Sequence, residues 1–274
     1  MPPDLEAEYN NRARVPEHPA LIAGWARDAA AYRDARPHET DVAYGTSPRE
    51  RYDFFPAGAD APAALFIHGG YWQALDKSFF SHMAKGPNAL GIAVAVMSYD
   101  LCPEVTMAHI VDQVRACALA LWRRTGRRII AFGHSAGGHL TAMLLATEWK
   151  KLDPQAPADL VSAGLAISGL FDLPPLVPTS VNIKLGLDEA EARRLSPAFM
   201  HPCAGTRLIA AVGGDESGEY LRQSRLIAEN WTPLGCPTTD RPIASVNHFT
   251  VIASLAEADG ELTQLLANLA TLTP

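Results

Sequence analysis

A chain of 274 residues, 48% hydrophobic and 19% charged, has enough apolar material for the core of a soluble globular enzyme of one or two domains and too much for bulk disorder. Lys and Arg number 23 against 30 Asp and Glu, a formal net charge of −7. With no basic block to neutralise phosphates or lipid headgroups, nucleic acid and membrane surfaces are excluded as partners. The start, MPPDLEAEYNN, lacks a cationic stretch followed by an apolar core, and no segment approaches the ~20 apolar residues of a membrane span, so the expected location is cytoplasmic. Cys102, Cys117, Cys203 and Cys236 lie far apart without a CxxC pair, which suits reduced thiols and neither a disulfide framework nor a zinc site.

In chain order, a helical segment over about residues 5–36 comes first. Short strands are expected at 41–45 (DVAYG) and 51–57 (RYDFFPA), separated by the turn-like TSPRE. The runs AALFI (63–67), AVAVMSY (93–99), RIIAF (128–132), VSAGLAIS (161–168) and RLIAAV (207–212) are continuously apolar, as strands covered on both faces must be. Helical patterns separate them. The clearest is Met107, Ile110, Val111, Val114, Cys117 and Leu121, closed by Arg123, Arg124 and Gly126. A last strand around RPIASV precedes NHF and a final helix, VIASLAEA. Alternating strands and helices imply a mostly parallel α/β sheet of eight strands with helices on both faces. A Pro-rich insert at about 172–205 stands outside the alternation and reads as a small cap on a single domain, 1–274.

The chemistry starts at Gly133-His134-Ser135-Ala136-Gly137, which fits the G-x-S-x-G nucleophile elbow between a β-rich run and the apolar helix HLTAMLLATEW. Such a turn lifts Ser135 Oγ above the sheet, with a helix N-terminus beneath it. A serine hydroxyl needs an imidazole to take its proton, and the imidazole needs an orienting acid. The chain order serine, acid, histidine is met by Asp215, in the loop after RLIAAV, and His248, in the loop after the last strand. Asp172, in SGLFDL, also follows a strand and is the rival acid. The other histidines fall outside the base position: His68 belongs to a turn, His134 is the variable residue of the elbow, and His139 lies in the next helix.

His68-Gly69-Gly70 follows the third strand, where α/β-hydrolases carry the loop that completes the oxyanion hole. The N–H groups of Gly70, Tyr71 and Ala136 are the expected donors to the developing negative charge; a tight turn without catalytic duty is the alternative.

These motifs resemble the kynurenine formamidase (arylformamidase) family of α/β-hydrolases. The likeness lies in HGGYW (68–72), GHSAGGHL (133–140), MAHIVDQVR (107–115), SGLFDLPPLVPTSVN (168–182), GGDESGEYLRQS (213–224) and VNHF (246–249). The resemblance implies Ser135 as nucleophile, Asp215 as acid, His248 as base, no metal or organic cofactor, and a homodimer. It implies hydrolysis of N-formylkynurenine to formate and kynurenine in tryptophan breakdown. Tyr71, Trp72 and Phe171 are candidates for packing the aromatic amine, with core packing the alternative. Asn182 is a candidate for the amino-acid end of the substrate, with a structural role the alternative. Gly138 stands where alanine is expected in many relatives, a change expected to matter little. A short-chain carboxylesterase using the same residues is the competing activity, and a non-catalytic binder on the same scaffold is disfavoured by the presence of all three triad members.

Overall fold

The computed structural model describes residues 3–272. Its eight strands are β1 (Glu39–Ala43), β2 (Arg51–Phe55), β3 (Ala63–Ile67), β4 (Ala93–Met97), β5 (Ile129–His134), β6 (Val161–Ile167), β7 (Arg207–Gly213) and β8 (Thr238–Ile243). They form one sheet in the order β1-β2-β4-β3-β5-β6-β7-β8. The β1/β2 and β2/β4 pairs are antiparallel and the remaining pairs parallel. This is the α/β-hydrolase fold.

The continuous apolar runs are explained by two cores, one on each face. Along β3, Ala63, Leu65 and Ile67 enter one cluster while Ala64 and Phe66 enter the other. With successive side chains pointing to opposite faces and both faces covered, no polar alternation survives. The helix Met107–Thr125 starts at Thr106, whose hydroxyl accepts from the His109 N–H at 3.2 Å, and ends at Gly126 with φ 68°.

The N-terminal segment divides into three helices, Leu5–Tyr9, Asn11–Arg14 and His18–Ala35. The breaks have local causes. The Asn10 side chain accepts from the Ala13 N–H and so starts a second helix where the first ends. The third has Pro in its first turn, where no intrahelical N–H is needed, and buries Trp25, Ala29 and Tyr32. Over 172–205 the chain makes only short pieces: 3₁₀ turns at Pro174–Leu176 and Pro197–Phe199, and helices Asn182–Leu185 and Glu189–Arg194. The stretch expected as a helix behind His248 is instead a 3₁₀ segment, Val251–Ala256, followed by the α-helix Glu261–Thr271. Among the described residues no helix is long and apolar enough to cross a membrane, and all four cysteines are free thiols.

Candidate active site

β5 passes into the helix Ala136–Leu145 through Ser135 alone. That residue has φ 57° and ψ −117°, a region a non-glycine side chain enters only when its surroundings impose it. The surroundings are backbone. The Ser135 N–H donates to the Ile167 carbonyl at 2.8 Å, and the Ser135 carbonyl accepts from Gly138 and His139 at 2.8 and 3.1 Å. A Cβ at Gly137 would lie 1.9 Å from the Ile67 carbonyl oxygen, so the motif's last glycine is a steric requirement. Gly138 corrects an expectation: a Cβ there would lie 2.9 Å from Gly169 Cα and 3.1 Å from the Ile167 carbonyl oxygen, so alanine requires the backbone to move.

The imidazole partner also departs from the sequence reading. His248 Nδ1 lies 2.7 Å from Glu216 Oε2, whereas Asp215 is exposed and Asp172 pairs with Arg222 at 2.9 Å. Neither aspartate is brought to the histidine. Gly213 and Gly214 turn the chain so that the Asp215 N–H donates to the Val246 carbonyl at 3.1 Å, leaving its side chain on the outside. Glu216 comes next and points in. Its Oε1 accepts from the Gly213 N–H at 2.7 Å and from the Ser168 hydroxyl. With no side-chain exposure and three partners, the carboxylate has one position available. Because a carboxylate accepts, Nδ1 carries the proton in this bond and Nε2 is left as the basic nitrogen.

The back of the imidazole is fixed through its main chain. His134, the variable residue of the elbow, donates from Nε2 to the His248 carbonyl at 2.8 Å, with the two rings 4.7 Å apart. Burial holds the His134 pKa well below its ordinary value, and the His248 imidazole adds to the effect, so His134 stays neutral. Tyr220 covers His248 at 4.7 Å between ring centroids.

In the HGG turn, Gly70 has φ +110°, and a Cβ there would lie 2.3 Å from the Ala74 carbonyl oxygen. Tyr71 and Trp72 follow at φ 52° and 57°. The three consecutive positive φ values fold the loop back on itself and present Gly69, Gly70 and Tyr71 to the cavity that Ser135 and His248 also line. Ala136, first residue of its helix, has an N–H without an intrahelical acceptor. His68 is locked beneath, stacked on Tyr99 at 4.2 Å and donating from Nδ1 to the Gly69 carbonyl at 2.7 Å. Burial pushes its pKa down to about 4.

The cavity measures about 360 Å³ and is walled in part by the N-terminal segment, through Tyr9, Asn11, Arg12, Ile22 and Trp25. Of the four residues expected to bind substrate, only Tyr71 reaches it. Its hydroxyl donates to the Tyr9 carbonyl at 2.6 Å and meets the Tyr220 hydroxyl at 2.7 Å, while Asn11 Nδ2 donates to Tyr220 at 2.9 Å. Since Tyr71 has already given its proton to Tyr9, Tyr220 is the donor between the two phenols, and the chain of bonds has one direction. Trp72 is fully buried against His139, with rings 5.0 Å apart in a T arrangement, and Phe171 is fully buried in the same core. Asn182 ties its own loop together, donating to the Val177 and Leu187 carbonyls and accepting from the Leu187 N–H. These three are structural. Sequence reasoning missed Glu216, Tyr220, Asn11 and Ser168. No pattern distinguishes Glu216 from its neighbour Asp215, and the other three are brought in by segments remote in the chain.

Known proteins share this fold. The alpha/beta hydrolase family profile matches residues 64–272. Kynurenine formamidase of Salmo salar is 31% identical over 239 residues, covering 82% of this chain and 80% of that protein, and kynurenine formamidase of Danio rerio is 30% identical over 236 residues with the same coverage. A solved structure from Silicibacter sp. TM1040, proposed to be a thioesterase, superposes with a TM-score of 0.87 at 33% identity, covering 96% of this chain and 99% of that one. The Pyrobaculum calidifontis esterase superposes at 0.72 with 16% identity, covering 92% and 93%, a likeness of fold. The chain is a hydrolase that belongs to the kynurenine formamidase-type family of α/β-hydrolases.

Proposed function

We propose that this protein is a serine hydrolase that removes the formyl group from N-formylkynurenine, releasing formate and kynurenine in tryptophan breakdown. Ser135 Oγ attacks the formyl carbon as His248 Nε2 takes its proton, and Glu216 holds the Nδ1 proton and offsets the imidazolium charge. The carbonyl oxygen gains negative charge beside the N–H groups of Gly70, Tyr71 and Ala136. Each such donor typically contributes about 10²–10³ in rate. Collapse breaks the C–N bond, the imidazolium giving its proton to the departing aryl amine. Water, deprotonated by the same nitrogen, then hydrolyses the formyl-serine to formate and restores Ser135.

The observation that carries the formamidase reading is the fixed ring of Tyr71 in the cavity wall. Relatives with a third glycine at that position have bare backbone beside the oxyanion hole. Here a phenol tied to Tyr9 and Tyr220 takes up acyl-side space. A formyl group has only hydrogen on its carbonyl carbon and fits, whereas a butyryl chain must displace the ring, and misplacement of ~1 Å can cost ~10²-fold. The family membership supports the same substrate. A short-chain carboxylesterase would use the same three residues, since a triad does not choose the acyl group. The discriminating measurement compares kcat/KM for N-formylkynurenine with that for p-nitrophenyl acetate, butyrate and octanoate. The expected result is efficient formamide cleavage and a fall along the ester series. Preference for butyrate or octanoate with no cleavage of N-formylkynurenine would replace this reading by the carboxylesterase.

A further inference from the structure

The charges around His248 are divided by side. Behind the imidazole, a second hollow shares Asn11 and His248 with the main cavity and is lined by three carboxylates, those of Glu17, Asp215 and Glu216, against one cation, Arg14. In front, among the described residues, the formally charged side chains that line the main cavity are Arg12 and Lys184, with no Asp or Glu beside them. In a chain of net charge −7 this is a local reversal of sign. Among the described residues neither cation forms an ion pair or a side-chain hydrogen bond, although Lys184 also borders a third hollow lined by Asp100, Glu104 and Arg49. Both side chains are exposed.

The two cations belong to different elements, the helix Asn11–Arg14 and the helix Asn182–Leu185. The segments leading into them are held together. Glu6 accepts from the Ser180 N–H at 2.8 Å and from the Ser180 hydroxyl at 2.7 Å. Its carboxylate also takes the Asn10 amide at 3.1 Å, so this acid is already bonded within the wall. Deeper in, Trp25, Phe80 and Phe249 give the cavity an aromatic lining.

We propose that Arg12 and Lys184 form a carboxylate-binding subsite, so that the cavity selects aromatic amides or esters whose leaving group carries an anionic end. For the natural substrate this rests on the formamidase reading, in which the anionic end is the amino-acid carboxylate of N-formylkynurenine. The role expected for Asn182 passes to these two cations. The subsite is open to water, so its selectivity is modest and weakens as salt screens it.

The test uses two substrate pairs, each differing in one carboxylate: 4-acetoxybenzoate against methyl 4-acetoxybenzoate, and N-formylkynurenine against its α-carboxamide. The readout is the ratio of kcat/KM with the free carboxylate to that with the capped one, for the full chain, Arg12→Gln, Lys184→Gln and the double variant. Each single substitution is expected to lower the ratio about two- to fivefold, through KM, as exposed charges do. The double substitution should lower it ~10-fold, the two sites adding, and 0.5 M NaCl should shrink the wild-type ratio. Arg14→Gln, facing the rear hollow, is the control and should leave the ratio in place. If N-formylkynurenine is cleaved and the variants keep the wild-type ratio, the subsite is wrong while the formamidase reading stands. If N-formylkynurenine is not cleaved but the acetoxybenzoate ratio drops in both variants, the subsite stands and the formamidase reading falls. Equal ratios in wild type and double variant for both pairs overturn the subsite outright.

Discussion

The elbow and the acid loop lie at the same end of the sheet and hold their functional side chains by different means. Ser135 is held by backbone sterics: φ 57°, with Gly137 packed on the Ile67 carbonyl and Gly138 on Gly169. Glu216 is held by polar contacts from Gly213, Ser168 and His248, which come from three separate places in the chain. Contacts of the first kind leave glycines at fixed spacing in the sequence. Contacts of the second kind leave no spacing, because two adjacent carboxylates satisfy the same pattern and only the turn at Gly213 and Gly214 decides which of them faces the histidine.

The sharpest break in this comparison is Ser135→Ala. It should leave the fold intact, because the hydroxyl supports no cap hydrogen bond in the elbow, and should lower kcat by several orders of magnitude, about 10⁶ in a comparable triad. A folded variant retaining a tenth of the activity would refute the nucleophile assignment. Next comes the contrast within the acid loop. Glu216→Gln puts an amide beside Nδ1 and should cost about 10³–10⁴ in kcat, since it favours the wrong tautomer and gives no charge to offset the imidazolium. Asp215→Asn, on the exposed neighbour, should stay within threefold of wild type. The reverse order would return the acid to Asp215. His134→Leu removes the hydrogen bond to the His248 carbonyl while keeping the site apolar. A drop of about tenfold in kcat with KM unchanged, and the same pH profile, marks a residue that positions the base.

Smaller effects concern stability. Burial holds His68 and His139 at pKa values of about 4, below the ordinary 6.5. As pH falls through 6.5 the unfolded chain binds protons that the folded chain refuses until about pH 4, so stability is full above pH 6.5 and declines below it. The slope is about 1.4 kcal/mol per pH unit for each histidine. Urea midpoints measured from pH 7 to pH 4.5 should fall continuously, and His139→Gln should flatten the curve. Identical midpoints across the range would contradict neutral burial. The smallest effect is Gly138→Ala, expected to destabilise by about 1–3 kcal/mol through overpacking against Gly169. Gly137→Ala, aimed at a carbonyl 1.9 Å away, should prevent folding.

By itself the sequence determined the sheet and singled out Ser135 and His248 as the candidate nucleophile and base. Apolar runs of five to eight residues have one use in a two-faced sheet, and five of them became the strands β3 to β7 at nearly the expected bounds. The elbow and the HGG turn were legible for the related reason that glycine is the residue able to occupy such crowded or positive-φ positions. His248 followed from its place after the last strand. Tertiary structure alone decided the rest. Whether Asp215 or Glu216 meets the imidazole depends on hydrogen bonds from Ser168 and Gly213. Whether Trp72, Phe171 and Asn182 reach substrate depends on which way a positive-φ loop and a short insert turn. The cavity wall depends on an N-terminal segment whose Tyr9 and Asn11 contact Tyr220, more than 200 positions later. Local sterics are written in neighbouring residues, whereas the direction of a polar side chain is set by partners that the chain brings together only when it folds.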